Sequence, residues 1–221
     1  MKERGLICKD DEVRAILDGR KTVFRRPVTS IGRFGRIVGE GSRGYSIACQ
    51  DTKGVVHDIA YHEACDRGPF GVPGDRLWVK EIHKLSIAHH CALDSCDCDD
   101  VLVEYEAGGE PLVVDGDKVP GSWSLPVRYE SVASERPARS MPRWASRILL
   151  ELVSVRIERL HAITEDDAVR EGMCRKGVSA TGRVRASFRA AFENMWGRHY
   201  NKSHAWSENP FVWRVEFRRR P

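Results

Sequence analysis

The chain has 221 residues, 41% hydrophobic and 31% charged, enough for one domain with a full core or a small domain with large insertions. No apolar run approaches the roughly 18 residues of a membrane span, and the opening MKERGLICKDDE holds no apolar signal region, so an intracellular, cytoplasmic protein without membrane contact is expected. The net charge of +4 hides an asymmetry: residues 94–117 hold nine acids and no Lys or Arg, which leaves 36 basic against 23 acidic residues elsewhere, or +13.

Residues 10–26 form the most informative stretch. Asp10, Asp11 and Glu12 suit a helix N-terminus. Val13, Ile16 and Leu17 make one apolar stripe, and Gly19 is placed to end the helix in a left-handed cap. Arg20, Lys21, Thr22, Arg25 and Arg26 follow at once, a fixed group of cations and a hydroxyl suited to a phosphate, a base edge or an acyl oxygen. A plain helix with a basic C-terminus is the alternative.

Residues 31–44 are Gly-rich and basic and predict a loop or loose hairpin. Pro73-Gly74-Asp75 is a turn signal feeding a buried strand at Leu77-Trp78-Val79. Residues 83–100 have no clear period and predict an irregular insertion; residues 101–106 and 127–132 predict strands. Residues 148–160 give the longest strand signal, with a change of phase near Leu152–Val153 that predicts a bulge or a crossing between faces. Thr164 reads as an N-cap with Asp167 three residues on, and Gly172 closes that short helix. Val184, Phe188, Ala191, Phe192 and Met195 predict an amphipathic helix whose apolar face is core. Phe211, Trp213, Val215 and Phe217 alternate with Arg214, Glu216 and Arg218, the pattern of a half-buried strand. Strands dominate, with about three helices around them.

Several of these segments, in this order, resemble ASCH domains, a branch of the PUA-like superfamily. They are GRKTVFRRPV after the first helix, GVPGDRLWVKE, MPRWASRILLELVSVRIERL, ITEDDAVREGM and NPFVWRVEFRR. The longer members common in bacteriophage and prophage genomes are the most similar. The resemblance implies an α+β fold: a single domain over residues 1–221, built as a small PUA-like β-barrel with insertions at about 27–70 and 83–140. It implies binding of RNA or nucleotides and, in some members, removal of an acyl group from acetylated cytidine nucleosides. Carried over, the catalytic Lys of those hydrolases falls on Lys21 and the proton-donating Glu on Glu171. Their nucleophilic Thr falls on Phe24, which has no hydroxyl; Thr22 lies nearby but in an extended segment would share a face with Phe24. A Lys21–Glu171 ion pair that merely holds the first helix is the structural alternative.

The expected role is binding of RNA or a modified nucleotide in a basic cleft near Lys21, Arg25 and Glu171, with DNA a further candidate partner. Phe24 is an aromatic platform for a base. Trp144, between Arg143 and Arg147, is a second platform or else a core tryptophan. Arg136, Arg139, Arg143 and Arg147, and Arg214, Arg218, Arg219 and Arg220, form two series suited to phosphates. Alternatives from other classes are an amidohydrolase acting on an acylated cytidine-type nucleoside and a phage accessory protein whose insertions bind another protein. Seven cysteines without a signal peptide predict reduced thiols. His89, His90, Cys91, Cys96 and Cys98, with Cys65 or His62, lie within reach of a zinc loop in sequence, but C-x-C spacing without a second pair predicts no metal, and no cofactor is expected.

Overall fold

The computed structural model describes residues 1–42, 46–88, 100–120, 134–174 and 187–220. In chain order these form β1 (Glu3–Ile7), α1 (Asp10–Leu17), β2 (Val23–Pro27), β3 (Arg36–Glu40), β4 (Ser46–Gln50), β5 (Val56–Ala60), α2 (Tyr61–Asp66), β6 (Arg76–Lys80), β7 (His83–Ile87) and β8 (Val101–Tyr105). They continue with β9 (Leu112–Val114), β10 (Ser134–Arg136), β11 (Leu149–Arg159), α3 (Glu165–Arg170), α4 (Phe188–His199) and β12 (Phe211–Arg220). The class is α+β, as expected. The strand predicted at 127–132, the His89–Cys98 cluster and Val184 lie outside the described residues.

Five strands make the central sheet, in the order β1-β6-β11-β12-β2, with β1 parallel to β6 and the other neighbours antiparallel. The hydrogen bonding does not close into the expected barrel, because β1 and β2 remain its two edges. The segment that joins those edges is α1. Its Val13 and Ile16 share one apolar cluster with Leu6 of β1, Phe24 of β2 and Val215 of β12. α1 thus packs on the same core as both edge strands.

The two stretches expected as insertions are folded sheets. The first, of which residues 31–44 were expected as a loop or loose hairpin, holds a three-stranded antiparallel sheet in the order β3-β4-β5, followed by α2. Its Ile47, Cys49, Ile59 and Ala64 enter the central cluster itself. The second contributes a four-stranded sheet in the order β10-β7-β8-β9, where β7 replaces the irregular segment expected from residue 83 onward. Leu85, Val101, Val103 and Tyr105 form a separate cluster there with Met141 and Ala145. Sequence periodicity missed β4 and β7 because each is five residues long and carries polar residues at buried positions, Ser46 and His83.

The bulge predicted in β11 is present: its register against β12 shifts between Leu152 and Ser154, and Val153 is left exposed. β12 departs from the half-buried strand its alternation predicts. Phe211, Trp213, Val215 and Phe217 face the central cluster, but Val212 and Arg214 on the other side are buried as well. That second face is covered by α3 and α4, which bring Leu160, Ile163, Ala168, Phe192 and Trp196 into one cluster with Val212. Among the described residues no helix is long and apolar enough to cross a membrane.

Candidate functional site

Two helices end in the same way, and their ends abut. α1 stops at Gly19, with φ +71°, and the Lys21 N–H donates back to the Ala15 carbonyl at 2.9 Å. α3, capped at its start by Thr164 Oγ1 accepting from the Asp167 N–H at 3.1 Å, stops at Gly172, with φ +84°. The two exits pair as an isolated antiparallel bridge, Lys21 with Glu171, and the Thr22 N–H donates to the Arg170 carbonyl at 2.8 Å. Glycine at 172 is needed twice over: φ is positive, and a Cβ there would lie 2.8 Å from the Ala15 Cβ and 3.2 Å from the Lys21 Cβ. This close approach brings the Lys21 and Glu171 side chains together.

Lys21 Nζ lies 2.8 Å from Glu171 Oε2, 3.1 Å from the Glu171 carbonyl and 3.6 Å from Glu12 Oε1. Both members of the pair are almost fully buried, at 3% and 2% exposure. Glu171 caps the C-terminal end of α3, where backbone carbonyls disfavour a negative charge, so its placement depends on cations brought from elsewhere. Lys21 is one; Arg25 is the other, with Nη1 3.1 Å from Glu171 Oε1.

Arg25 extends the pair into a network. Its Nη2 reaches Glu158 Oε1 at 2.6 Å and Asp167 Oδ2 at 2.8 Å. Asp167 also accepts from Arg214 Nη2 at 2.8 Å, and Glu216 is shared by Arg214 and Arg170. On the α1 side Arg26 Nη2 holds both oxygens of Glu12, at 2.9 and 3.0 Å. Lys21, Arg25, Arg26, Arg170 and Arg214 are thus matched by Glu12, Glu158, Asp167, Glu171 and Glu216. Burial pushes the Glu12 carboxyl up, but Arg26 and Lys21 beside it outweigh that and hold it at about 2. Asp167 is likewise held below the usual carboxylate range: Arg214 and Arg25 overcome the effect of burial.

A cleft of about 460 Å³ opens over Lys21, Glu12 and Glu171. One wall is α1, through Asp11, Arg14 and Ala15; the other is α4, through Ala191, Asn194, Met195 and Arg198, a single helical stripe. Arg20, Gly172, Met173 and Cys174 complete it. A smaller chamber of about 310 Å³ shares Asp11, Glu12, Glu171 and Met195 and continues past Arg25 and Arg26 to Trp196, His199 and Tyr200. The larger volume lies in the range of small-molecule sites.

The structure therefore brings Lys21, Glu171, Arg20, Arg25 and Arg26 to one place; the approach of Glu171 to Lys21 was expected only from the resemblance. It corrects the expected basic character of that place: the floor is a balanced set of ion pairs, and Arg25 and Arg26 are consumed within it. Phe24 is not a platform for a base. It is 1% exposed in the central cluster, with ring centroids 5.1 Å from Phe70 and 5.9 Å from Phe217. Thr22 stands just before β2, and its Oγ1 accepts from Arg170 Nε at 3.4 Å, outside the lining of either chamber. Arg143, Trp144 and Arg147 also stand elsewhere. Arg143 bonds Glu3 at 2.9 Å, Trp144 packs on the second apolar cluster, and Arg147 grips the buried Glu81. In the second arginine series Arg214 is buried on Asp167, Arg218 and Arg220 pair with Glu151, and Arg219 donates to the Leu17 carbonyl.

Sequence reasoning missed Glu12, Arg14 and the α4 stripe. Glu12 was accounted for by the helix N-terminus alone, although its Oε2 also accepts from the Lys9 N–H at 3.2 Å. Ala191 and Met195 were assigned to core; Met195 does pack against the third cluster, but together with Ala191, Asn194 and Arg198 it also lines the cleft. No protein-family model, curated protein or solved structure matches this chain.

Proposed function

We propose that this chain binds RNA or a modified nucleotide in the cleft between α1 and α4, and that its core is a PUA-like variant in which α1 packs on the same core as both edge strands. The observation that carries the reading is the Lys21–Glu171 pair, 2.8 Å apart at the floor of a cleft of nucleoside size. An ammonium and a carboxylate side by side offer a donor and an acceptor, the complement of a base edge. Ala15, Met173, Ala191 and Met195 give the cleft apolar surface for the base itself.

Binding without hydrolysis is favoured. The three N–H donors of Lys21 face three oxygens, two from Glu171 and one from Glu12. A lysine acting as a base on a hydroxyl needs a lone pair and a hydroxyl within reach. Among the described residues no serine or threonine lines the cleft. The contact with Glu12 is the longest, so a ligand acceptor would take its place first.

Mass spectrometry of the protein incubated with a panel of modified nucleosides and nucleotides tests this. The expected result is a retained complex with at least one member, lost in Lys21→Ala, and no acyl loss from acetylated cytidine. Turnover of that compound would establish the amidohydrolase reading instead. Absence of any complex would leave the cleft without a nucleotide role.

A further inference from the structure

The mouth of the cleft differs from its floor. Arg14 on α1 and Arg198 on α4 both line the larger chamber and are exposed. Their guanidinium groups bond only to backbone carbonyls: Arg14 to Ala107 at 3.1 Å and Glu106 at 3.4 Å, and Arg198 to Asn194 at 3.2 Å. Among the described residues neither has a carboxylate partner. That is unusual in a region where every buried cation is matched. Arg20 stands beside them but is already paired with Asp18 at 2.7 Å. Asp11 is the acid at the rim, and its Oδ1 accepts from the Glu12 N–H at 2.9 Å.

We propose that this mouth is a phosphate subsite, so that the ligand is the phosphorylated form, with Arg14 and Arg198 clamping one phosphate from two different helices while the base lies over Lys21 and Glu171. The inference rests on the nucleotide reading of the cleft. Guanidinium groups are suited to this task because each presents paired N–H donors that match two phosphate oxygens. Two such groups on separate rigid elements fix the phosphate relative to the floor. The phosphate of a free nucleotide and that of a strand share this chemistry.

The test is a calorimetric titration of the whole protein with cytidine and acetylcytidine, each as nucleoside, monophosphate and dinucleoside monophosphate. The phosphorylated forms should bind about tenfold or more tightly than the nucleoside. In the Arg14→Gln/Arg198→Gln variant that ratio should fall to about one. Each single variant should lose part of it, and Arg143→Gln, outside the lining of the cleft, should keep it. A gain confined to the monophosphate assigns the subsite to free nucleotides, and an equal gain with the dinucleoside form assigns it to a strand; either supports the subsite. Equal affinity for nucleoside and monophosphate overturns the subsite and leaves the nucleotide reading standing, as does a ratio that survives in the double variant. Failure of every compound to bind overturns both.

Discussion

Two buried ion pairs in this molecule use similar ingredients for different ends. Arg147 holds both oxygens of Glu81, at 3.0 and 2.8 Å, and lies 3.8 Å over the Tyr105 ring, whose hydroxyl donates to the Ala145 carbonyl. Both carboxylate oxygens and the ring face are used, and the pair lies beside the second apolar cluster, to which Tyr105 and Ala145 belong. Lys21 and Glu171 are buried as deeply, yet they form the floor of a cleft, and their third partner stands off at 3.6 Å. Residue types alone do not separate the two cases. The difference lies in what covers them: Gly109 and Glu110 lie against the Arg147 guanidinium, whereas a cleft of about 460 Å³ separates the α1 and α4 residues above Lys21 and Glu171.

The largest expected effect separates the pairs by what each carboxylate supports. Glu171→Ala leaves Lys21 and Arg25 buried without it and should cost about 3–5 kcal/mol in urea unfolding. Glu81→Ala strands one arginine that retains its aromatic contact, so its cost should be smaller; equal costs would break the comparison. Acid unfolding gives the next effect. The Glu12 carboxyl falls from an ordinary 4.5 to about 2 on folding, so its contribution is present above pH 4.5 and is lost as pH drops towards 2. That contribution is on the order of 3 kcal/mol. Burial pushes the Glu81 carboxyl up, with Arg147 offsetting only part of this, so its contribution has the opposite sign: it is present below 4.5 and lost as pH rises through the folded value. Glu12→Gln should therefore flatten the acid limb of the stability curve and Glu81→Gln should steepen it.

Gly172→Ala comes third. The positive φ and the 2.8 Å approach to Ala15 predict a loss of about 1–3 kcal/mol by thermal melting, together with weaker ligand binding as Lys21 is displaced. The smallest effect is expected at Arg143, whose pair with Glu3 is half exposed. Arg143→Ala should change stability by less than about 1 kcal/mol and leave binding unaltered. A loss of nucleic-acid affinity in that variant would restore the arginine series to the binding surface.

Much of the frame was legible. The bulge in β11, the Thr164 cap, the Gly19 and Gly172 stops and the Lys21–Glu171 pairing all follow from local patterns or from motif positions. The bulge, the cap and the glycine stops are features that a single element dictates; the Lys21–Glu171 pairing joins two elements and was expected only from matched motif positions. Phe24 was misplaced because an aromatic beside three arginines reads as a platform only if the strand presents that face outward. Here β2 pairs with β12 and turns the ring towards Phe70 and Phe217. The carboxylates that consume Arg25 come from β11 and α3, more than 130 residues away, and no periodicity within the motif announces them. Charge runs likewise looked like a basic face because their partners, Glu3, Glu81, Glu151 and Asp167, are scattered along the chain. Arg14 and Arg198 carried no signal of their own, since an unmatched cation is recognised only once the matched ones are known.

The connection β1–α1–β2 has a kinetic consequence. β1 pairs only with β6, and β2 pairs only with β12, among the described strands. The β1–α1–β2 unit therefore has no local sheet partner, and its second strand waits for residues 211–220 before it can dock. Such long sequence separations slow folding, because the entropy of loop closure must be overcome before the contacts reward it. On the ribosome, β2 and the cations it carries would lack their sheet partner until residues 211–220 have been made. The α1 side of the cleft would then be assembled late, and stopped-flow refolding should show Trp213 burial and ligand capture appearing in the same slow phase.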